Sequence, residues 1–185
     1  MSAVGSVDSQ PAGAATLDVA AVQAALEAEC LDGWLLYSFR GLNPIASDLT
    51  GVDQQGGHLA TRRWYYFIPA QGEPRALVHA IEPRALAHLP GRSALYAGRE
   101  QLEQGLARLV GGTRRVAMEY SPKCAIPYIA RVDAGTVELI RSLGPEVVSS
   151  GDLVQQFAAV WKPPAIESHR EASEKLHRIK DQAFA

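Results

Sequence analysis

The apolar and polar positions divide this chain into short runs with two different periods. Val19, Val22, Leu26 and Cys30 recur at helical spacing behind Asp18, whose carboxylate can cap a helix start, so a helix to about Cys30 is predicted. Asp32-Gly33 is a turn signal, and the apolar run Trp34-Leu35-Leu36-Tyr37 is predicted as a buried strand. A second strand, Arg63-Trp64-Tyr65-Tyr66-Phe67-Ile68, is rich in aromatics and closed by Pro69. Alternation places Trp64 and Tyr66 on one of its faces and Tyr65 on the other. After the turn Gln71-Gly72-Glu73-Pro74, the run from Arg75 to His79 is expected to return antiparallel, as a hairpin.

The second half alternates between the two periods. Glu82 to Leu89 suggests a helical turn or two, and Ala94-Leu95-Tyr96 a short strand. Arg99 to Val110 is amphipathic, with Leu102, Leu106 and Leu109 on one helix face, and Gly111-Gly112 ends it. Arg115 to Tyr120 is a further strand. Asp133 or Thr136 can cap a helix through Leu143, which Gly144-Pro145 stops. Glu146 to Ser149 is a strand and Asp152 to Trp161 a helix. A hairpin followed by alternating strands and helices predicts an α/β domain, a mixed sheet covered by helices.

The stretch from Ser38 to Arg62 breaks this rhythm with Gly41, Asn43-Pro44, Gly51 and Gly56-Gly57, and Pro44 can open a short helix through Leu49. Long irregular stretches inside compact domains are uncommon and often functional, so a site is sought here first. Beyond Lys162-Pro163-Pro164 no Gly or Pro remains, and only a thin stripe of Ile166, Leu176, Ile179, Ala183 and Phe184 is apolar. Glu171/Lys175 and Glu174/Arg178 stand in favourable i,i+4 order. Residues 162–185 are thus expected to form a linker helix, mostly solvated, leading away from a domain at 17–161. The Ser-, Gly- and Ala-rich residues 1–16 are expected to be a disordered tail.

Composition narrows the function classes. The 185 residues are 47% hydrophobic and 21% charged, with a formal net charge of -2, so no basic excess points to nucleic acid. Arg62-Arg63 and Arg114-Arg115 are the best basic clusters, and they are only pairs. No run approaches a membrane span, and the first residues lack the charge and apolar core of a secretion signal. The two cysteines, Cys30 and Cys124, have no metal spacing and form no disulfide framework, which fits a reducing, cytoplasmic setting. Cys124, between Pro122 and Pro127, is expected to be a small buried hydrophobe. No two of the five histidines lie four apart, so no helix face carries a paired-histidine metal motif.

Three segments carry a family resemblance. Asn43-Pro44-Ile45-Ala46-Ser47-Asp48-Leu49-Thr50-Gly51, after the first strand, resembles the Asn…Leu-Thr-Gly stretch of creatinase/prolidase N-terminal domains. The run from Val132 to Ile140, followed by Gly144-Pro145-Glu146-Val147-Val148-Ser149-Ser150, is similar to the same family. So is the joint Trp161-Lys162-Pro163-Pro164-Ala165-Ile166-Glu167. The resemblance implies a mixed, roughly six-stranded sheet flanked by helices, ribonuclease H-like, leading through the linker helix to a C-terminal catalytic domain. That domain would hold a dinuclear manganese, cobalt or zinc (Mn/Co/Zn) centre on two Asp, one His and two Glu. The ligand motifs have no match here, so catalytic residues and metal ligands are expected to be absent and the sequence to be the truncated front of a metallopeptidase. The branch of best match is the Xaa-Pro dipeptidase/aminopeptidase P group, although Asp48 stands where many members carry an aromatic.

The resemblance also implies a homodimer in which the loop after Leu-Thr-Gly reaches the partner's active site. That loop is Val52 to Arg62, and it nominates Asp53 and His58 for contact with substrate. Arg40, just past the first strand, is a third candidate, since guanidinium groups bind carboxylates in bidentate fashion; the alternative for it is a surface position or an ion pair with Asp48 or Asp53. The expected partners are therefore the chain's own catalytic domain and a second copy, with neither nucleic acid nor membrane. The alternatives are a non-enzymatic module that binds basic peptides through an acidic cleft, or the N-terminal domain of a creatinase-like amidinohydrolase. Glu119, as a lone carboxylate at a strand end, gives little by itself.

Overall fold

The computed structural model describes residues 17–52, 60–161 and 163–184. The tail expected at 1–16 and the candidates Asp53 and His58 lie outside the described residues. Six strands form one sheet: β1 (Gly33–Ser38), β2 (Trp64–Pro69), β3 (Arg75–His79), β4 (Arg92–Tyr96), β5 (Arg115–Met118) and β6 (Glu146–Ser149), in the order β4-β3-β2-β1-β5-β6. β2 pairs antiparallel with β1 and with β3; the β3–β4, β1–β5 and β5–β6 pairs are parallel. Every strand but β2 therefore runs the same way, and one edge of the sheet collects their C-terminal ends.

The alternation in β2 divides the core into two layers. Trp64, Tyr66 and Ile68 join Trp34 and Leu36 of β1 under α1 (Val19–Ala28), α2 (Pro44–Thr50) and α5 (Gly151–Phe157). Tyr65 and Phe67 join Leu35 and Tyr37 on the opposite face, under α3 (Arg99–Val110) and α4 (Ala134–Ser142). All six residues of β1 and all six of β2 are buried, because helices cover both faces at the sheet centre. Gly33 is needed there, since a Cβ would lie 2.3 Å from the Phe67 ring.

The helix ends follow local chemistry. Asp18 caps α1 by accepting from the Ala21 amide at 3.0 Å. α1 stops at Ala28, short of Cys30. Cys30 adopts φ 53 and Leu31 N–H donates to Leu26 O at 2.9 Å, a closure of the Schellman type that turns the chain into β1. Cys30 is thus exposed instead of continuing the helical stripe. Cys124 is exposed as well, on a tight 3-10 turn at Pro122–Cys124, so the expectation of a buried hydrophobe is corrected. Flanking prolines hold that segment out of the sheet.

Residues 82–89 form successive i→i+3 turns and not a helix: Ala85, Ala87 and Leu89 amides donate to Glu82, Arg84 and Leu86 carbonyls. They still bury Leu86 and Leu89, which makes them a compact crossover between the parallel strands β3 and β4. α5 ends at Phe157, four residues before the predicted stop at Trp161, and Val160 and Trp161 are exposed ahead of Pro163. The last helix, α6 (Pro163–Ala183), buries none of its described residues. Glu171–Lys175 closes at 3.6 Å and Glu167–Arg170 at 3.7 Å, whereas Glu174 and Arg178 form no ion pair. Trp161 meets His169 edge-on at 4.7 Å.

This division predicts opposite responses in two leucines. Leu102→Ala, in the α3 core, is expected to cost about 2–5 kcal/mol in urea unfolding. Leu176→Ala, 66% exposed on α6, is expected to change stability by less than about 0.5 kcal/mol.

Candidate functional site

The C-terminal edge of the sheet is organised around Glu119, immediately after β5. Its side chain is fully buried and pairs with no cation among the described residues. Three neutral donors meet it instead. Trp34 Nε1 donates to Oε1 at 2.7 Å, Ser150 Oγ donates to Oε1 at 3.1 Å, and Asn43 Nδ2 donates to Oε2 at 2.7 Å. Burial pushes the carboxyl above its ordinary range, and the hydrogen bonds from Trp34, Asn43 and Ser150 oppose that shift. The Glu119 carbonyl also accepts from the Arg131 and Val132 amides at 2.9 and 3.0 Å, which ties the start of the α4 segment to the same residue.

Asn43 carries this order into the motif segment. Its Nδ2 also donates to Tyr37 O at 2.8 Å, while its Oδ1 accepts from Ala46 N at 3.2 Å and so caps α2. Pro44 takes the first helical position, where a missing N–H is harmless. Gly51, at φ 66, ends the helix in the left-handed conformation. The Asn43–Gly51 stretch is thereby a small helix pinned at both ends, with Ala46, Ser47, Leu49 and Thr50 buried.

Arg40 stands above this helix on the β1–α2 turn, exposed, at φ 53 beside Gly41 at φ 70. It makes no ion pair with Asp48, which is itself exposed. Arg40 and α2 share the C-terminal edge. Asp53 and His58 belong to the connection from α2 to β2 and are outside the described residues.

On the other face of the same edge lies a cleft of about 550 Å³. Tyr37 comes to it from β1, Arg62 and Arg63 from the approach to β2, Tyr96 from β4, Gly98 from the start of α3 and Asp133 from the cap of α4. Asp133 accepts from Thr136 N and Oγ1, both at 2.8 Å, and from Tyr37 OH at 3.1 Å. Partial burial opposes its charge, but these bonds prevail and hold its carboxyl below the ordinary 3.8. Tyr37 is pushed up to about 12 by burial, so it remains a donor. Tyr65 stacks on Tyr37 at 5.0 Å, is fully buried, and its hydroxyl has no hydrogen-bond partner. An unmet buried hydroxyl of this kind costs about 1–3 kcal/mol.

Of the residues proposed from sequence, the structure places only Arg40 at this edge. It adds Glu119, Asn43, Asp133 and Tyr65. Among the described residues no group of three or more His, Cys, Asp or Glu is arranged to hold a metal ion, so these residues do not fit a dinuclear centre.

No family profile matches this chain, and no curated protein matches it in sequence. Solved structures do match. A proline dipeptidase from Streptococcus pneumoniae superposes with a TM-score of 0.59 at 18% identity, over 78% of this chain and 98% of that one. The creatinase/prolidase N-terminal domain of an X-Pro dipeptidase from Streptococcus pyogenes gives 0.56 at 12% identity, over 75% and 96%. A prolidase from Thermococcus sibiricus gives 0.60 at 14% identity, over 89% of this chain and 42% of that one. The fold is therefore that of creatinase/prolidase N-terminal domains.

Two measurements check this geometry. Asn43→Ala is expected to raise amide exchange throughout α2 while leaving α3 protected, read by hydrogen–deuterium exchange. Because Asp133 is held below its ordinary value when folded, its contribution to stability is present above about pH 3.8 and lost as pH falls further. Asp133→Asn should accordingly lower the melting temperature at neutral pH and flatten that part of the acid limb in a pH series of thermal melts, so that the two proteins converge as the pH falls.

Proposed function

We propose that this chain serves as the non-catalytic N-terminal domain of a metal-dependent Xaa-Pro dipeptidase or aminopeptidase, shaping access to the active site and supporting dimerisation. The observation that carries the proposal is the fold, shared with domains of Xaa-Pro dipeptidases over nearly their whole length. The exposed stripe on α6, with Leu176 and Ile179 more than half exposed, supports a linker that packs on a further domain. A manganese, cobalt or zinc pair would belong to that domain and would supply an activated water there.

In this reading Arg40, Asp53 and His58 face the active site of a second copy. The exposure of Arg40 on a pinned turn fits such a role, because its guanidinium makes no ion pair among the described residues. The cleft beside α3 carries Arg62 and Arg63 with Asp133, which suits anions better than the basic peptides that the alternative, non-enzymatic module would take.

Two experiments test the proposal. The 185-residue chain, incubated with manganese, cobalt or zinc, is expected to leave Xaa-Pro dipeptides uncut; metal-dependent cleavage by it would overturn the non-catalytic assignment. Sequencing the gene across codon 185 is expected to show a continuing frame with two Asp, one His and two Glu in family order. A frame that closes at Ala185 would contradict the proposal.

A further inference from the structure

The face of the domain covered by α1, α2 and α5 carries a groove of about 590 Å³. Ile45 and Leu49 of α2 and Val154 and Phe157 of α5 form its apolar walls, and Tyr128, 78% exposed, stands at its side. Two acids, Asp18 and Asp48, sit at its rim, both exposed and neither in an ion pair among the described residues. No Lys, Arg or His lines the groove among the described residues. The helices around it add only acids: α1, α2 and α5 contain Glu27, Asp48 and Asp152 and no basic residue. Glu29, at the end of α1, is held above its ordinary range by partial burial first and by the Asp152 charge second, so like charges crowd this surface. Apolar walls with an acidic rim fit an apolar segment with basic borders.

α6 has that pattern. It starts just past Val160, which lines the groove, and its 21 residues extend about 30 Å. None of its described side chains is buried, so it leaves the groove of its own domain open. At about 3.6 residues per turn, Ala172, Leu176, Ile179 and Ala183 share one face. His169, on the same face, is taken up by Trp161. The charged side chains that border the face are Lys175 and Lys180, whereas Glu167, Glu171, Glu174 and Asp181 lie on the opposite side. The lysines pair only within α6, Lys175 with Glu171 at 3.6 Å and Lys180 with Asp181 at 3.0 Å. All four side chains are more than half exposed, where such pairs are weak.

We propose that α6 of a second copy docks in this groove, with Leu176 and Ile179 against the apolar walls and Lys175 and Lys180 toward the Asp18 and Asp48 carboxylates. The exchange is reciprocal: each copy offers one groove and one helix, and a two-fold pair closes on itself. Pairing α6 with α6 would instead bring the lysine borders of the two copies together and leave the acidic groove uncovered. The inference deepens the dimerisation proposed above and rests on that part of the reading alone, without the peptidase assignment.

The test is sedimentation equilibrium of the 185-residue chain over a concentration series. A monomer–dimer equilibrium is expected, weakened by added salt. Leu176→Glu, on the helix, and Asp48→Lys, on the groove, are each expected to weaken the dimer about tenfold or more. Both positions are exposed, so in dilute solution, where the chain is monomeric, neither change should lower the melting temperature. Isotope-filtered NMR of a mixed-label sample is expected to show contacts from the Leu176 methyl groups of one copy to the Phe157 ring of the other. A chain that stays monomeric throughout leaves the α6 stripe to a further domain of the same chain; that result overturns the docking and leaves the peptidase reading standing. A dimer weakened by Leu176→Glu and not by Asp48→Lys is α6 paired with α6, and a dimer weakened by neither uses another face. Each of these keeps dimerisation and overturns the docking, as does a dimer that either variant leaves unchanged. The peptidase reading fails separately, on the cleavage and sequencing results described above.

Discussion

A buried carboxylate held only by neutral donors fixes the working edge of this domain. Glu119 takes its hydrogen bonds from an indole, an amide and a hydroxyl that belong to β1, the β1–α2 turn and the start of α5. Each donor comes from a different element, so one side chain sets the mutual position of all three. An isolated buried charge would be too costly; the three bonds are what make the site tolerable, and their geometry specifies it. Through Asn43 the same group orients the cap of α2, and through its own carbonyl it holds the segment that enters α4.

The sheet turns this local order into a functional edge. With five strands running one way and β2 against them, the ends of β1, β3, β4, β5 and β6 gather on one side. In open sheets of this kind ligands settle beyond the carboxyl ends of the strands, where loops and helix starts converge. Here that edge presents Arg40 and α2 on one face and the arginine- and tyrosine-lined cleft on the other. The rest of the molecule, two apolar layers on a fully buried central pair of strands, is a rigid support for it.

Much of the fold was legible in sequence because it is written at short range. The apolar runs gave all six strands, and the alternation of Trp64, Tyr65 and Tyr66 foretold the division of the core. Asp18 was a recognisable cap and Asp133 one of two candidates beside Thr136, since a cap and the amide it meets lie three residues apart. Errors came where local signals compete: the run 82–89 closes tighter turns than a helix, and Cys30 bends away to admit β1. The site was less legible. Glu119 looked like a lone carboxylate because its partners stand 85, 76 and 31 residues away. The unmet hydroxyl of Tyr65 depends on strand register, which puts it beside Tyr37, and on the crossover that brings Tyr96 alongside. Neither is visible in composition or periodicity.

The central role of Glu119 is tested most directly by a double-mutant cycle of Glu119→Gln with Asn43→Ala, with stabilities taken from urea unfolding. If the carboxylate positions α2 through Asn43, the two changes share one interaction, and a coupling energy above about 1 kcal/mol is expected. Losses that add within about 0.5 kcal/mol would show that the two residues act independently, and the account of the edge built on their bond would be wrong.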